Sequence, residues 1–267
     1  MDKKPTVGLI GAGVMGEALI SALVTYGLNP DLITISEKRL DRVNELTGKY
    51  SIKSSDLADN VKKAQVLLLV VKPQDLAAVL EEIKAHIDPE TLVVTFAAGK
   101  SISFVSNVLG QSNPVIRVMP NSPILLGEGM SAISTSHNVT TEQRDFVEGF
   151  LGAAGKTIEV EESLQDAVTA TSGSGPAYFF AFVEAMVLGA MDLGLTEKDA
   201  TALTVQTIVG AATMLEESGQ TAAVLRKNVT SPNGTTAAAL ESFTNDGLEQ
   251  LVSKAMKAAR DRAQELA

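Results

Sequence analysis

Gly11, Gly13 and Gly16 are spaced as Gly-x-Gly-x-x-Gly, directly after the apolar run Val7-Gly8-Leu9-Ile10 and directly before the helix-like Glu17-Ala18-Leu19-Ile20-Ser21-Ala22-Leu23. A backbone built this way can grip a pyrophosphate. Gly11 permits the tight turn out of a strand, Gly13 lets the pyrophosphate approach the backbone, and Gly16 lets helix and strand pack closely. Unpaired N–H groups at the helix start, at the positive end of its dipole, would hold the phosphates. Ile10, Gly11, Gly13, Val14, Met15 and Gly16 are therefore the expected contacts of a dinucleotide cofactor. The bland alternative is a glycine-rich turn with no ligand. It leaves the strand–turn–helix context unexplained.

Three further groups stand where a parallel sheet places its ligands, at strand ends. The first is Ser36-Glu37-Lys38-Arg39. An acidic residue about 20 positions beyond the glycines usually binds the ribose hydroxyls of NAD. Ser36, Lys38 and Arg39 could instead hold a 2′-phosphate. The balance leans to NADPH and leaves NADH open. The second is Val71-Lys72-Pro73, where Pro73 ends a strand and Lys72 could serve the cofactor or only cap the turn. The third is Phe96-Ala97-Ala98-Gly99, where the small Ala97 and Ala98 would let a flat ring come close. Asn121, in Met119-Pro120-Asn121-Ser122-Pro123, could satisfy buried backbone or contact cofactor or substrate.

The second half carries two polar motifs. In Ser172-Gly173-Ser174-Gly175-Pro176-Ala177-Tyr178, Ser174 is placed to cap a helix whose first turn holds Pro176. The run Asn228-Val229-Thr230-Ser231-Pro232-Asn233-Gly234-Thr235-Thr236 is a polar loop in otherwise apolar, helical sequence. The N–H groups of Gly234, Thr235 and Thr236 are expected to be unpaired helix-start donors. With the hydroxyls of Ser231, Thr235 and Thr236 they would receive a small carboxylate. A well-capped helix without ligand is the plain alternative.

Composition removes other classes. The 267 residues are 45% hydrophobic, enough for a large core in one or two domains. A net charge of −10 repels phosphate backbones, so nucleic acid is not an expected partner. There is no cysteine, hence no disulfide and no thiolate metal site. The two histidines, His86 and His137, lie apart from carboxylate clusters, and no metal site is expected. The apolar stretch 200–215 is shorter than the ~20 residues a membrane span needs. No membrane association is expected, and without an apolar leader before the first strand the expected location is cytoplasmic.

Behind these motifs the sequence reads in two halves. Strands are expected at 6–10, 32–35, 66–71, 92–96 and 115–118, with later ones at 130–134 and 157–160. Helices are expected at 15–26, 39–46, 75–86, 101–108 and 141–151. The alternation predicts a doubly wound parallel sheet of Rossmann type. Beyond about Glu162 only helices are expected, at 176–193, 197–217, 222–227 and 247–263, the last with Asp246 as N-cap. The fold class is thus α/β: a Rossmann domain over 1–162, followed by an all-α domain over 163–267 apolar enough to bury surface against a second copy.

Taken in order, residues 11–16, Val71-Lys72-Pro73, Ala97-Ala98-Gly99, Met119-Pro120-Asn121-Ser122-Pro123, 172–178 and 229–236 resemble the pyrroline-5-carboxylate reductase family along almost the whole chain. The resemblance implies reduction of the cyclic imine 1-pyrroline-5-carboxylate to L-proline, the last step of proline synthesis, with NADPH (often also NADH). It implies a helical dimerisation domain, with dimers often assembled into larger rings. The site would lie where one subunit's cofactor domain meets its partner's helical domain. The family's loop matching 229–236 binds the substrate carboxylate. Its residue matching Thr236 hydrogen-bonds near the ring nitrogen, and that matching Asn228 approaches the cofactor. Two departures stand out. Asn233 replaces the first of two consecutive glycines, a change a left-handed turn tolerates. Leu57 stands where an Asn often contacts the adenosine ribose. The rival readings are a related imine or β-hydroxy-acid oxidoreductase, for which Lys198 and Lys227 are the lysines to check, and a dinucleotide-binding sensor without turnover.

Overall fold

The computed structural model describes residues 4–110 and 112–266. Among them, eight strands form one sheet: β1 (Val7–Ile10), β2 (Ile33–Ser36), β3 (Lys53–Ser54), β4 (Val66–Leu69), β5 (Leu92–Thr95), β6 (Val115–Met119), β7 (Gly129–Thr135) and β8 (Gly155–Glu159). Their spatial order is β3-β2-β1-β4-β5-β6-β7-β8. The order reverses beside β1, which pairs in parallel with β2 on one side and β4 on the other. The crevice above such a reversal is where doubly wound sheets bind ligands.

Side chains alternate across the sheet with period two. Leu9, Leu68, Val94 and Ile116 join the core on one face, with α1 (Val14–Thr25) and α6 (Thr141–Gly152). Ile10, Leu67, Leu69 and Val93 join the core on the other, with α4 (Leu76–Ile83) and α5 (Ile102–Leu109). With both faces covered, the central strands lack polar alternation, which is why they read as short apolar runs.

The sequence departs from this fold in instructive places. The sheet is not wholly parallel: β7 runs antiparallel to β6, and β8 is again parallel to β7. Only a 3₁₀ turn, Ser122–Leu126, joins β6 to β7, and a parallel return needs a crossover of a dozen or more residues. The short edge strand β3 and the helix α3 (Leu57–Lys63) were not expected from the pattern. β3 is two exposed polar residues, and α3 owes its start to Asp56, whose side chain accepts the Asp59 N–H at 2.9 Å.

Ser174 does not begin a helix. After α7 (Gln165–Val168) the chain makes a π turn over Thr169–Gly173 and continues into α8 (Gly175–Asp192). The Ser174 N–H is bonded to Thr169 O at 2.8 Å, five residues back. The wide turn, not a cap, absorbs the Ser-Gly-Ser-Gly-Pro sequence.

The chain forms two compact units, one of residues 1–174 with 259–267 and one of Gly175–Ala258. The second contains α8, α9 (Glu197–Glu217), α10 (Ala222–Asn228), α11 (Thr235–Asn245) and most of α12 (Leu248–Glu265), whose last turns belong to the first unit. Asp246 is not the N-cap of α12. It closes α11, donating its N–H to Ser242 O, and Gly247 turns the chain at φ 75°. α8 packs on α9, and Phe182 stacks obliquely on Phe243 at 6.4 Å. Large apolar side chains stay exposed on these helices, Phe180 at 64% and Leu203 at 58% among them. By length and hydropathy it is the helical run Glu162–Asp192, not 200–215, that could cross a membrane.

Candidate functional site

The glycine motif sits at the end of β1, and each glycine has a visible cause. Gly11 has φ 86°, and a Cβ there would lie 2.6 Å from Val70 O. A Cβ on Gly16 would lie 2.5 Å from Gly11 O, so only glycine lets α1 start this close to the turn. Around Gly13 a Cβ would meet nothing within 4 Å. Gly13 is the N-cap of α1, and no side chain caps that helix. The N–H groups of Val14, Met15 and Gly16 therefore have no helix or side-chain acceptor at the positive end of a twelve-residue helix. Ile10, behind the turn, is buried, and Val14 is exposed at its mouth. The residues present fit a dinucleotide pyrophosphate.

The end of β2 resolves the opposed charges. Glu37 is turned inward: Oε2 accepts the Ala12 N–H at 2.9 Å and Oε1 the Arg39 N–H at 3.0 Å. Burial pushes this carboxyl up. The hydrogen bonds from Ala12 and Arg39 and the Arg39 charge outweigh it and hold the group below its ordinary range. Both oxygens are thus engaged, while Lys38 and Arg39 remain exposed. Ser36 Oγ donates to Ser55 O at 3.1 Å and accepts from the buried Asn60 Nδ2 at 2.9 Å. Asn60, three residues beyond Leu57 on α3, thus fastens that helix to β2.

Val71, Lys72 and Pro73 form the turn after β4. The Val70 N–H still pairs with Ile10 O at 2.9 Å, so this turn begins level with the glycine loop. After β5, Ala97 is buried and Ala98 partly exposed. Gly99 has φ 74°, and a Cβ on it would lie 2.7 Å from Ala263 O and 3.0 Å from Leu266 Cβ. The last turn of α12 therefore rests on this loop, a contact between residues far apart in sequence that no local pattern announces. Asn121 Oδ1 accepts the Met130 N–H at 2.8 Å, holding the β6–β7 connection.

In the helical unit, α10 ends at Asn228, whose Nδ2 donates to Gln220 Oε1 at 3.2 Å. Asn233 is left-handed at φ 59°. Gly234 is the N-cap of α11, again with no side-chain cap, and a Cβ there would fall on Ser231 Oγ. One expectation needs correction: the Gly234 N–H is not an open donor but bonds Ser231 O at 3.1 Å, closing the loop. The donors at this helix start are those of Thr235, Thr236 and Ala237. Lys198 lies exposed in the first turn of α9 and Lys227 exposed near the end of α10. Among the described residues no group of three His, Asp or Glu is gathered as metal ligands.

Side chains cap five other helices, Asp56 for α3, Ser101 for α5, Thr140 for α6, Thr196 for α9 and Thr221 for α10, whereas the helix Leu40–Tyr50, α4 and α7 begin without one. α1 and α11 share a glycine in place of that cap.

Comparison with known proteins agrees along the whole chain. The family described as pyrroline-5-carboxylate reductase dimerisation matches residues 162–266, and one described as NADP oxidoreductase, coenzyme F420-dependent, matches residues 6–99. The chain is 39% identical over 265 residues to the pyrroline-5-carboxylate reductase of Corynebacterium melassecola, covering 98% of each chain. It is 40% identical over 265 residues to that of Pseudomonas aeruginosa, covering 98% of this chain and 97% of the relative. Its fold superposes on a pyrroline-5-carboxylate reductase from Coxiella burnetii with TM-score 0.92, at 33% identity and 99% coverage of both chains. The Plasmodium falciparum pyrroline carboxylate reductase with NADP bound gives TM-score 0.87 at 26% identity, covering 98% of both chains. The chain belongs to the pyrroline-5-carboxylate reductase family.

Proposed function

We propose that the two glycine-capped helix starts are the two anion receptors of the reaction, α1 for the cofactor pyrophosphate and α11 for the substrate carboxylate. As a member of its family the protein is an NAD(P)H-dependent oxidoreductase that reduces 1-pyrroline-5-carboxylate to proline, and it carries a homodimerisation domain. The observation carrying the residue assignment is the missing side-chain cap at Gly13 and Gly234, where a bound anion satisfies the exposed N–H groups.

Cofactor contacts are assigned to Ile10, Gly11, Gly13, Val14, Met15 and Gly16 for the pyrophosphate side, and to Ser36, Lys38 and Arg39 for the adenosine side. Val71, Lys72, Pro73, Ala97, Ala98 and Asn121 are assigned to the nicotinamide side, and Asn228 is assigned to the cofactor as well. NADPH is the preferred form in this reading, because Glu37 is engaged by the Ala12 and Arg39 N–H groups while Lys38 and Arg39 are exposed, with Arg39 Nε 3.5 Å from Glu37 Oε1, where a 2′-phosphate would be received. Residues 1–162 serve the nucleotide, and residues 163–267 serve dimerisation and substrate. The exposed apolar helix faces are covered by a second copy, and dimers assemble into a larger ring in the cytoplasm.

When bound, the reduced nicotinamide would supply a hydride to the carbon of the protonated imine, and the C=N electron pair would become the ring nitrogen's lone pair. The protein's share is alignment, and holding two reactants in register is worth several kcal/mol. Thr235 and Thr236 N–H fix the carboxylate, Ser231 shapes the loop, and Thr236 Oγ orients the ring nitrogen. Thr236→Ala should lower kcat by roughly 10-fold, the cost of one hydrogen bond to a charged group, with an unchanged melting temperature. Unaltered kinetics would remove Thr236 from the mechanism.

A further inference from the structure

Arg42 lies on α2 (Leu40–Tyr50), 30 residues beyond the glycine motif it touches. Its side chain is only 12% exposed. Nε donates to Ala12 O at 2.9 Å, and Nη2 reaches Gly13 O at 3.5 Å. The guanidinium is itself held by two carboxylates: Nη1 donates to Glu45 Oε2 at 2.6 Å, and Nη2 pairs with Glu17 Oε2. Glu17 sits in the first turn of α1 and also accepts Lys49 Nζ at 2.8 Å and Tyr50 OH at 3.3 Å. On the other side of the same residue, Glu37 holds the Ala12 N–H.

In a trans peptide the N–H points opposite to the C=O. Fixing Ala12 O toward Arg42 therefore turns the Gly13 N–H away from Arg42. Fixing Ala12 N–H toward Glu37 sets the preceding peptide in the same way. The loop is thus gripped through its inward groups, and its outward donors are set before any ligand arrives. We propose that Arg42, steadied by Glu17 and Glu45, is a positioning residue that aims the glycine-loop amides at the cofactor pyrophosphate, and that it does not touch the 2′-phosphate. Four of its five donors are already committed to backbone and carboxylates, whereas Lys38 and Arg39 lie exposed beside Glu37. The Lys49 and Arg42 hydrogen bonds keep the Glu17 carboxyl below its ordinary range, so the ion pair is charged at neutral pH.

The proposal rests on reading the loop as the pyrophosphate site, and the experiment separates the two. Binding of NADPH, NADH and adenosine 2′-phosphate, which lacks the pyrophosphate, is measured for the full-length wild type, Arg42→Met, Arg42→Lys and Glu17→Gln. Arg42→Met should weaken NADPH and NADH by the same factor, roughly 10-fold for a lost charge-assisted contact. Adenosine 2′-phosphate should bind unchanged, and KM for the imine at saturating NADPH should not move. Arg42→Lys should recover part of the loss, and Glu17→Gln should show the same pattern more weakly, which keeps the test open if Arg42→Met folds poorly. Loss confined to NADPH and adenosine 2′-phosphate would make Arg42 a direct 2′-phosphate ligand and overturn the proposal. Unchanged dinucleotide binding in every variant would overturn it as well. A wild type that binds NADPH no better than adenosine 2′-phosphate would instead overturn the reading of the loop.

Discussion

The two parts of this chain are apolar in similar proportion and use that sequence differently. Both core clusters of the sheet are built from residues no later than Ala154. In the unit Gly175–Ala258, by contrast, Ala200 alone among the described residues is a buried hydrophobic side chain, although α8 and α9 are rich in Phe, Met, Leu and Val. Helices exposing this much apolar surface need a partner to cover it, whereas the sheet covers itself with its own crossovers. The nucleotide half thus brings its own stability to its site. The loop proposed to receive the substrate carboxylate is carried by helices whose large apolar side chains stay exposed in a single copy.

Breaking the second half should have the largest effect. Phe180→Asp combined with Leu188→Asp places charges on exposed apolar positions of α8. An uncompensated buried charge costs roughly 4 kcal/mol, about a thousandfold in dissociation. Sedimentation should show monomers, and imine reduction should vanish while NADPH still binds. A fully active monomer would erase the contrast between the halves. A smaller effect should come from the first half. Gly13→Ala keeps an ordinary φ of −67° and its Cβ meets no atom within 4 Å, so the melting temperature should hold while NADPH affinity falls roughly 10- to 100-fold as the methyl holds the pyrophosphate off the amides. Gly16→Val should do the reverse, destabilising by roughly 1–3 kcal/mol through its clash with Gly11 O.

The smallest effect should be on acid sensitivity. Glu17 and Glu37 both have lowered native pKa values. Their contribution is fully present above the ordinary value of 4.5 and is lost as pH falls through the lower native values. Denaturant unfolding of the wild type should therefore weaken with acid in that window, and Glu17→Gln should flatten part of the slope. An unchanged slope would show that the ion pair adds nothing to folding.

What the sequence made legible follows from the range of the forces involved. β1, β4, β5 and β6 read clearly because burial on both faces imposes an apolar run. Gly11, Gly13 and Gly16 read clearly because a fixed turn imposes their spacing. Asn233 was also legible, since few other residues accept its left-handed backbone. β3 was hidden because a two-residue polar edge carries no period. The π turn was hidden because Ser-Gly-Ser-Gly-Pro spells a helix start in every local rule. Arg42 carries no local signal of its role, since its contacts with Ala12, Gly13 and Glu17 span 25 to 30 residues. The engagement of the Gly234 N–H is not legible, because its acceptor is a carbonyl of the loop itself.

The bare helix starts at Gly13 and Gly234 carry one more consequence. Without ligands, water solvates the first amides of α1 and α11, and these turns are free to fray. In the proposed reading, cofactor and substrate complete the secondary structure as well as occupying it. Amide exchange in those turns should slow on saturation, and by mass action the folded state gains stability with each ligand bound.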